Sequence, residues 1–236
     1  MIFRKAPSVK DTATIRKILK FLERAYGRPP DLKRSPPVGE LIRTILSQNT
    51  SDLNSLRAFA VLKKNFRSWD ALAAARAGKI ERLIRRAGLS RIKAGRIKGV
   101  LNEIRRREGR IDLSFLRDLS IEEALAYLRS LKGVGPKTAA CVLLFSFGKP
   151  VMPVDTHIFR VARRLGIIGK GMAIEEAHKF LSGRVPKDLI YEFHLGIIEH
   201  GRRICKAKSP LCGGCAVYGM CGFPDKKLFL KKGRMR

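Results

Sequence analysis

The sequence predicts an all-α fold, and three observations point there. Apolar residues recur at the i, i+3, i+4, i+7 spacing of amphipathic helices along most of the chain. Runs of strictly alternating apolar and polar residues, which would mark half-buried strands, are scarce. Gly, Pro, Ser and Asp punctuate the periodic segments where helices are capped and stopped. The 236 residues suffice for one large domain or two small ones, and 45% hydrophobic content is ample for packed cores.

In chain order, residues 11–26 form the first amphipathic helix, with Asp11 as N-cap and Ile15, Ile18, Leu19 and Leu22 on one face. The segment GRPPDLKRSPPVG is a linker into a second packing unit. Two helices follow. Residues 39–47 carry Leu41, Ile42, Ile45 and Leu46, and residues 52–66 carry Leu53, Leu56, Phe59, Ala60 and Leu62. Between them lies the polar elbow SQNTSD. Gln48 and Asn49 fit simple loop positions before a capping Ser51 or Asp52, and their side chains also suit hydrogen bonds to base edges. Ser68 caps a short helix from Trp69 to Arg76, and a helix over residues 79–87 ends at Gly88. Residues 91–107 set Lys93, Arg96, Lys98, Arg105, Arg106 and Arg107 around an apolar stripe of Ile92, Ile97, Val100, Leu101 and Ile104. Ser120 caps the helix 120–130, with Glu122 and Glu123 in its first turn, and an apolar helix covers 136–147.

Charge is the stronger bound on function. Fifty Lys and Arg stand against 20 Asp and Glu, a net charge of +30 and a pI near 10.8. That imbalance implies a polyanionic partner, nucleic acid before an anionic membrane surface. No apolar run reaches the length of a bilayer span, and Met1 to Lys10 lacks the apolar core of a signal peptide, so an intracellular protein is expected. Four of the five cysteines, Cys205, Cys212, Cys215 and Cys221, fall near the C-terminus with gaps of six, two and five residues. In a reducing compartment this favours metal ligation over disulfides, and the spacing admits either tetrahedral zinc or an iron–sulfur cluster. Cys141 sits on an apolar helix as a small core residue.

The stretch LKGVGPKTAACVLLFSFGKPVMPVDTHIFRVARR organises the rest. Its turn, Gly133, Val134 and Gly135, allows backbone N–H groups to converge on a phosphate at the start of the helix that Pro136 opens, the helix-hairpin-helix arrangement. Lys137 follows in the first turn, and Asp155 stands 18 positions later before the helix THIFRVARRLG. Taken singly, Lys137 is a phosphate-binding lysine and Asp155 an N-cap. Taken together, an amine that can attack C1′ of a sugar and a carboxylate that can stabilise positive charge on it are what a DNA glycosylase with lyase activity requires.

LKGVGPKTA, VDTHIFRVARRLG and the four-cysteine tail together resemble the endonuclease III family of DNA repair glycosylases, over about Leu41 to Cys221. The resemblance implies a two-lobed helix-hairpin-helix DNA glycosylase fold: residues 31–149 form the hairpin lobe, residues 1–30 plus 150–236 a discontinuous lobe carrying the cluster, and DNA lies in the cleft between. It implies Lys137 as nucleophile, Asp155 as its partner in base loss, and a [4Fe–4S] cluster on the four cysteines, with zinc as the alternative. SQNTSD matches the loop that fills the gap left by a flipped nucleotide, with Gln48 or Asn49 as the plug, and Leu89 matches an apolar wedge. Lys206 and Lys208 match a cluster loop that meets DNA phosphates. His157 and His200 lie within family-like motifs, where supporting polar roles are expected, His157 near DNA. His178 and His194 have no partner visible in the sequence and read as structural.

The implied function is removal of damaged bases, oxidised pyrimidines foremost, from double-stranded DNA, followed by β-elimination at the abasic site. A monofunctional or mismatch-directed glycosylase and a non-catalytic, metal-stabilised DNA-binding module are the alternatives. A monomer in the cytoplasm or nucleoid is expected, and the basic end KKLFLKKGRMR reads as frayed chain.

Overall fold

The computed structural model describes residues 11–231 and is helical throughout, with no strand among the described residues. The expectations for Met1 to Lys10 and for the last five basic-rich positions fall outside that range. The chain divides into two compact units, one running Lys33–Lys149 and the other made by the chain up to Leu32 and from Pro150 onward. No described helix is long and apolar enough to cross a membrane.

The second unit opens with α1 (Thr12–Tyr26), capped by Asp11, whose carboxylate accepts the Thr14 amide at 2.8 Å. The Lys33–Lys149 unit holds α2 (Pro37–Ser47), α3 (Asp52–Asn65), α4 (Trp69–Ala74), α5 (Ala77–Leu83), α6 (Ser90–Glu108), α7 (Ile121–Ser130) and α8 (Pro136–Val142). Its core centres on α2, where Leu41, Ile42, Ile45 and Leu46 are fully buried against α3, α6 and α8. Each such side chain contributes roughly 1.5–3 kcal/mol on burial. The expected caps form at α4 and α7: Ser68 accepts the Ala71 amide, and Ser120 and Glu123 make a reciprocal capping box.

Four sequence expectations are corrected in this unit. α3 buries Ser55, Ala58 and Leu62, whereas Leu53 and Leu56 stand 57% and 50% exposed, because small residues let α3 lie close against α2 and the turn before Gly88. α6 places Ile92 in solvent and Lys93 in the core. The helix expected over 79–87 breaks at Ile84, where the backbone leaves helical geometry, and resumes as a 3₁₀ turn, Arg85–Ala87. The helix expected over 136–147 is α-helical only to Val142 and then widens into a π-turn, Leu143–Phe147, as the Ser35 amide takes the Phe145 carbonyl.

Beyond Pro150 come α9 (Thr156–Leu165), α10 (Ile174–Arg184) and α11 (Ile190–Arg203). α11 packs on both α1 and α9. Gly201 permits the second contact: a Cβ there would stand 3.1 Å from both Cβ and Nδ1 of His157. The tail corrects a further expectation. Pro224–Phe229 forms a 3₁₀ helix, and Lys226 Nζ donates to the carbonyls of Tyr218 and Cys221 at 3.0 and 2.7 Å, so this part of the end is tied down.

Candidate active site

In the Lys33–Lys149 unit, α7 ends at Ser130 and the chain reverses through Leu131–Gly135 into α8. Gly133 takes φ +89°, where a side chain would be strained, and a Cβ there would press on Arg96 at 3.1 Å. Val134 is buried, and its amide closes the turn on the Leu131 carbonyl at 3.0 Å. Gly135 is the N-cap of α8, Pro136 its first residue, and Lys137 a half-buried residue of its first turn. Thr138, next in sequence, is buried and faces the elbow: Gln48 Nε2 donates to Thr138 Oγ1 at 3.4 Å.

Gln48 is held at its other end as well, accepting from Arg96 Nη1 at 2.6 Å. Asn49 is exposed and adopts φ +51°. Leu89 is its counterpart on the neighbouring loop, 49% exposed with φ +49°. These two are the non-glycine residues of positive φ among the described residues. The loops abut, since a Cβ on Gly88 would lie 3.9 Å from the Asn49 carbonyl. Arg96 thus joins elbow and hairpin, a role that its place in a run of cations did not disclose.

In the other unit, the segment Val151–Val154 is buried and leads to Asp155, whose backbone is extended. Ser182 accepts the Met152 amide at 2.9 Å, and His194 Nδ1 meets the Pro153 carbonyl at 3.1 Å. His178 Nδ1 lies 3.1 Å from the Met152 carbonyl and 3.3 Å from the Val154 amide, donating to the first or accepting from the second according to its tautomer. Both histidines, expected merely as structural, therefore clamp the approach to Asp155. Asp155 is the N-cap of α9, and its Oδ1 accepts the Ile158 amide at 2.7 Å. His157 is part-buried, with Nδ1 3.2 Å from Arg160.

The four cysteines line one cavity together with His200, Arg164, Phe223 and Lys226. Burial raises the thiols of Cys212 and Cys221 above their ordinary range and pushes Cys215 up to about 12. Clustered thiols that resist ionisation by themselves suit a positively charged group among them. Donors already face two of the sulfurs, Arg164 Nη1 at 3.4 Å from Cys205 and the Phe223 amide at 3.5 Å from Cys221, and His200 Nε2 lies 3.7 Å from Cys215 with its role set by the ring's tautomer. Burial lowers His200 to about 4, so the ring is neutral. Its Nδ1 lies 2.7 Å from the Tyr26 hydroxyl; in the tautomer that accepts from Tyr26 there, Nε2–H faces the sulfur.

The loop between Cys205 and Cys212 is fixed from α9. Arg160 donates to the carbonyls of Cys205 and Gly201, each at 2.9 Å, and Arg164 to those of Lys206 and Ala207 at 2.7 and 2.9 Å. Lys206 and Lys208 are exposed on that loop. Sequence periodicity gave no sign that the arginines of FRVARR serve it.

A family profile described as HhH-GPD superfamily base excision DNA repair protein matches residues 42–187. A protein of Arabidopsis thaliana is 41% identical over 165 residues, covering 70% of this chain and 56% of its own length, so the chain spans about half of that relative. Endonuclease III of Thermotoga maritima is 35% identical over 195 residues, covering 83% of this chain and 87% of its own. Among solved structures, a trapped covalent intermediate of endonuclease III with DNA aligns with TM-score 0.76 at 28% identity, over 93% of this chain and 98% of that one.

Proposed function

Since the chain belongs to the endonuclease III family of the HhH-GPD base excision DNA repair superfamily, we propose that it is a bifunctional DNA glycosylase and abasic-site lyase. We take damaged bases in double-stranded DNA as its substrates, oxidised pyrimidines foremost. The observation that carries this is the place of Lys137, a half-buried amine one residue past the opening proline of the helix that the Gly133 hairpin starts.

In this reading the hairpin amides hold a phosphate and the Lys137 amine attacks C1′ of the nucleotide. The N–C1′ bond forms as the glycosidic bond breaks. The base leaves with the bonding pair and takes up a proton, while the amine gives one up. Opening of the sugar ring yields an iminium, loss of the 2′ proton expels the 3′ phosphate, and water then releases the lysine. The Asp155 carboxylate stabilises positive charge on the sugar as the base departs.

Asn49 fills the space left by the extruded nucleotide, and Leu89 enters the stack as the apolar wedge. The choice of Asn49 over Gln48 rests on their partners. Gln48 is engaged by Arg96 and Thr138, whereas Asn49 is exposed on the strained backbone next to Leu89. Extrusion costs a few kcal/mol for an intact pair and less for a damaged one, so recognition begins with that difference.

Cys205, Cys212, Cys215 and Cys221 would hold a [4Fe–4S] cluster. The reading is supported by the four thiols lining one cavity and by the family to which the chain belongs; four thiolates suit an iron–sulfur cluster or zinc by their chemistry alone. Cys205 and Cys212, as ligands at its two ends, would fix the loop that presents Lys206 and Lys208 to phosphates.

A panel of duplexes, each with one lesion, tests the function. The proposal expects base release coupled to a strand cut 3′ to the abasic site, fastest on an oxidised pyrimidine. Base release without a cut would make the protein monofunctional. Tight, salt-sensitive binding with no product on any lesion would reduce it to a binding module.

A further inference from the structure

A buried lysine sits behind the two strained loops. Lys93, on α6, is 1% exposed, and its Nζ donates at 2.7 Å to the Leu46 carbonyl and at 2.7 Å to the Ala87 carbonyl. Leu46 lies in the last turn of α2, three residues before Asn49. Ala87 closes the 3₁₀ turn two residues before Leu89. One ammonium therefore satisfies a helix-end carbonyl behind each loop, groups that otherwise lack partners when buried.

We propose that Lys93 is a positioning residue that locks the Asn49 loop and the Leu89 loop into a single wedge, so that gap-filler and wedge enter the duplex together. The proposal rests on the glycosylase reading for its purpose, though the link between the loops stands on geometry alone. The position itself argues for a specific use. Lys93 occupies the core stripe of α6 with Ile97, Val100, Leu101 and Ile104, where an apolar side chain would avoid the cost of burying charge. Desolvation, with Arg96 nearby, lowers its pKa, which records that cost. Lys98, five residues further along, binds the carbonyls of Ala73 and Ala75 in the same manner but is only part-buried and serves the end of α4.

The test compares Lys93→Met with the native protein in two ways. Without DNA, hydrogen exchange at residues 47–51 and 87–91 should accelerate together, with exchange in the hairpin 131–137 unchanged. With DNA, lyase turnover at an abasic site in a duplex should fall about tenfold, as expected for misplaced contacts, while turnover on the same site in a single strand, where there is no stack to enter, is retained. Equal losses on both substrates, or faster exchange in only one loop or neither, would overturn the proposal. If the native protein cleaves neither substrate, the enzymatic reading fails and the exchange data still decide the link. Should Lys93→Met not fold, a double-mutant cycle of Asn49→Ala and Leu89→Ala on duplex affinity replaces it. A locked wedge predicts that the double variant loses little beyond the worse single one, and additive losses would contradict it.

Discussion

Oδ1 of Asp155 accepts the Ile158 amide, so the carboxylate is oriented by the helix that it caps. Asn keeps an oxygen for that cap and removes the charge. Asp155→Asn should therefore change thermal stability by no more than about 1 kcal/mol while slowing single-turnover base release by about 10²-fold or more; a melting curve and a quenched time course check the two parts. Unchanged release would leave Asp155 as a cap only. At this scale the sequence was informative where a local signal sets a residue's place: Pro136 opens α8 with Lys137 in its first turn, Asp155 caps α9, and the four C-terminal cysteines line one cavity. It was least informative where a polar residue faces inward. Lys93 reads as surface because lysine usually is, and only the carbonyls of Leu46 and Ala87, contributed by two other elements, explain its burial. His178 and His194 were opaque for the same reason, since their partners are backbone atoms of Met152 to Val154.

Among elements, caps were legible and faces less so. Asp11, Ser68 and the Ser120–Glu123 box are local signals and form within one turn of their helices. The buried face of α3 is set by what crosses it, and Leu53 and Leu56 lose the core to Ser55 and Ala58 because the crossing is close. α11 offers a paired test of such closeness. At Gly201 a Cβ would meet His157 Cβ at 3.1 Å, an atom too near the backbone to yield, so Gly201→Ala should destabilise by about 1–2 kcal/mol despite alanine's better helix propensity. At Gly196 the same Cβ finds its nearest neighbour at 3.8 Å, and Gly196→Ala should stabilise by about 0.5–1 kcal/mol. Denaturant unfolding of both variants measures the contrast, and equal shifts would show that the α9–α11 contact is looser than it looks.

For the whole molecule, a net charge of +30 points to a polyanion without choosing a site. In the proposed reading, the hairpin, lysine, aspartate and cysteine signals choose it. Periodicity could not show that α1, at one end of the chain, packs on α11 near the other, because that contact depends on residues far apart in sequence. The lesion was not legible either, since base selection depends on side chains that no local motif marks. The chemistry is the central claim, and trapping tests it most directly. Borohydride added during turnover reduces an iminium to a stable amine, and peptide mapping then identifies the lysine that carries the sugar. The account predicts a DNA adduct on Lys137 in the native protein and none with Lys137→Gln. An undiminished adduct in the variant, or one mapped to a different amine, would contradict it.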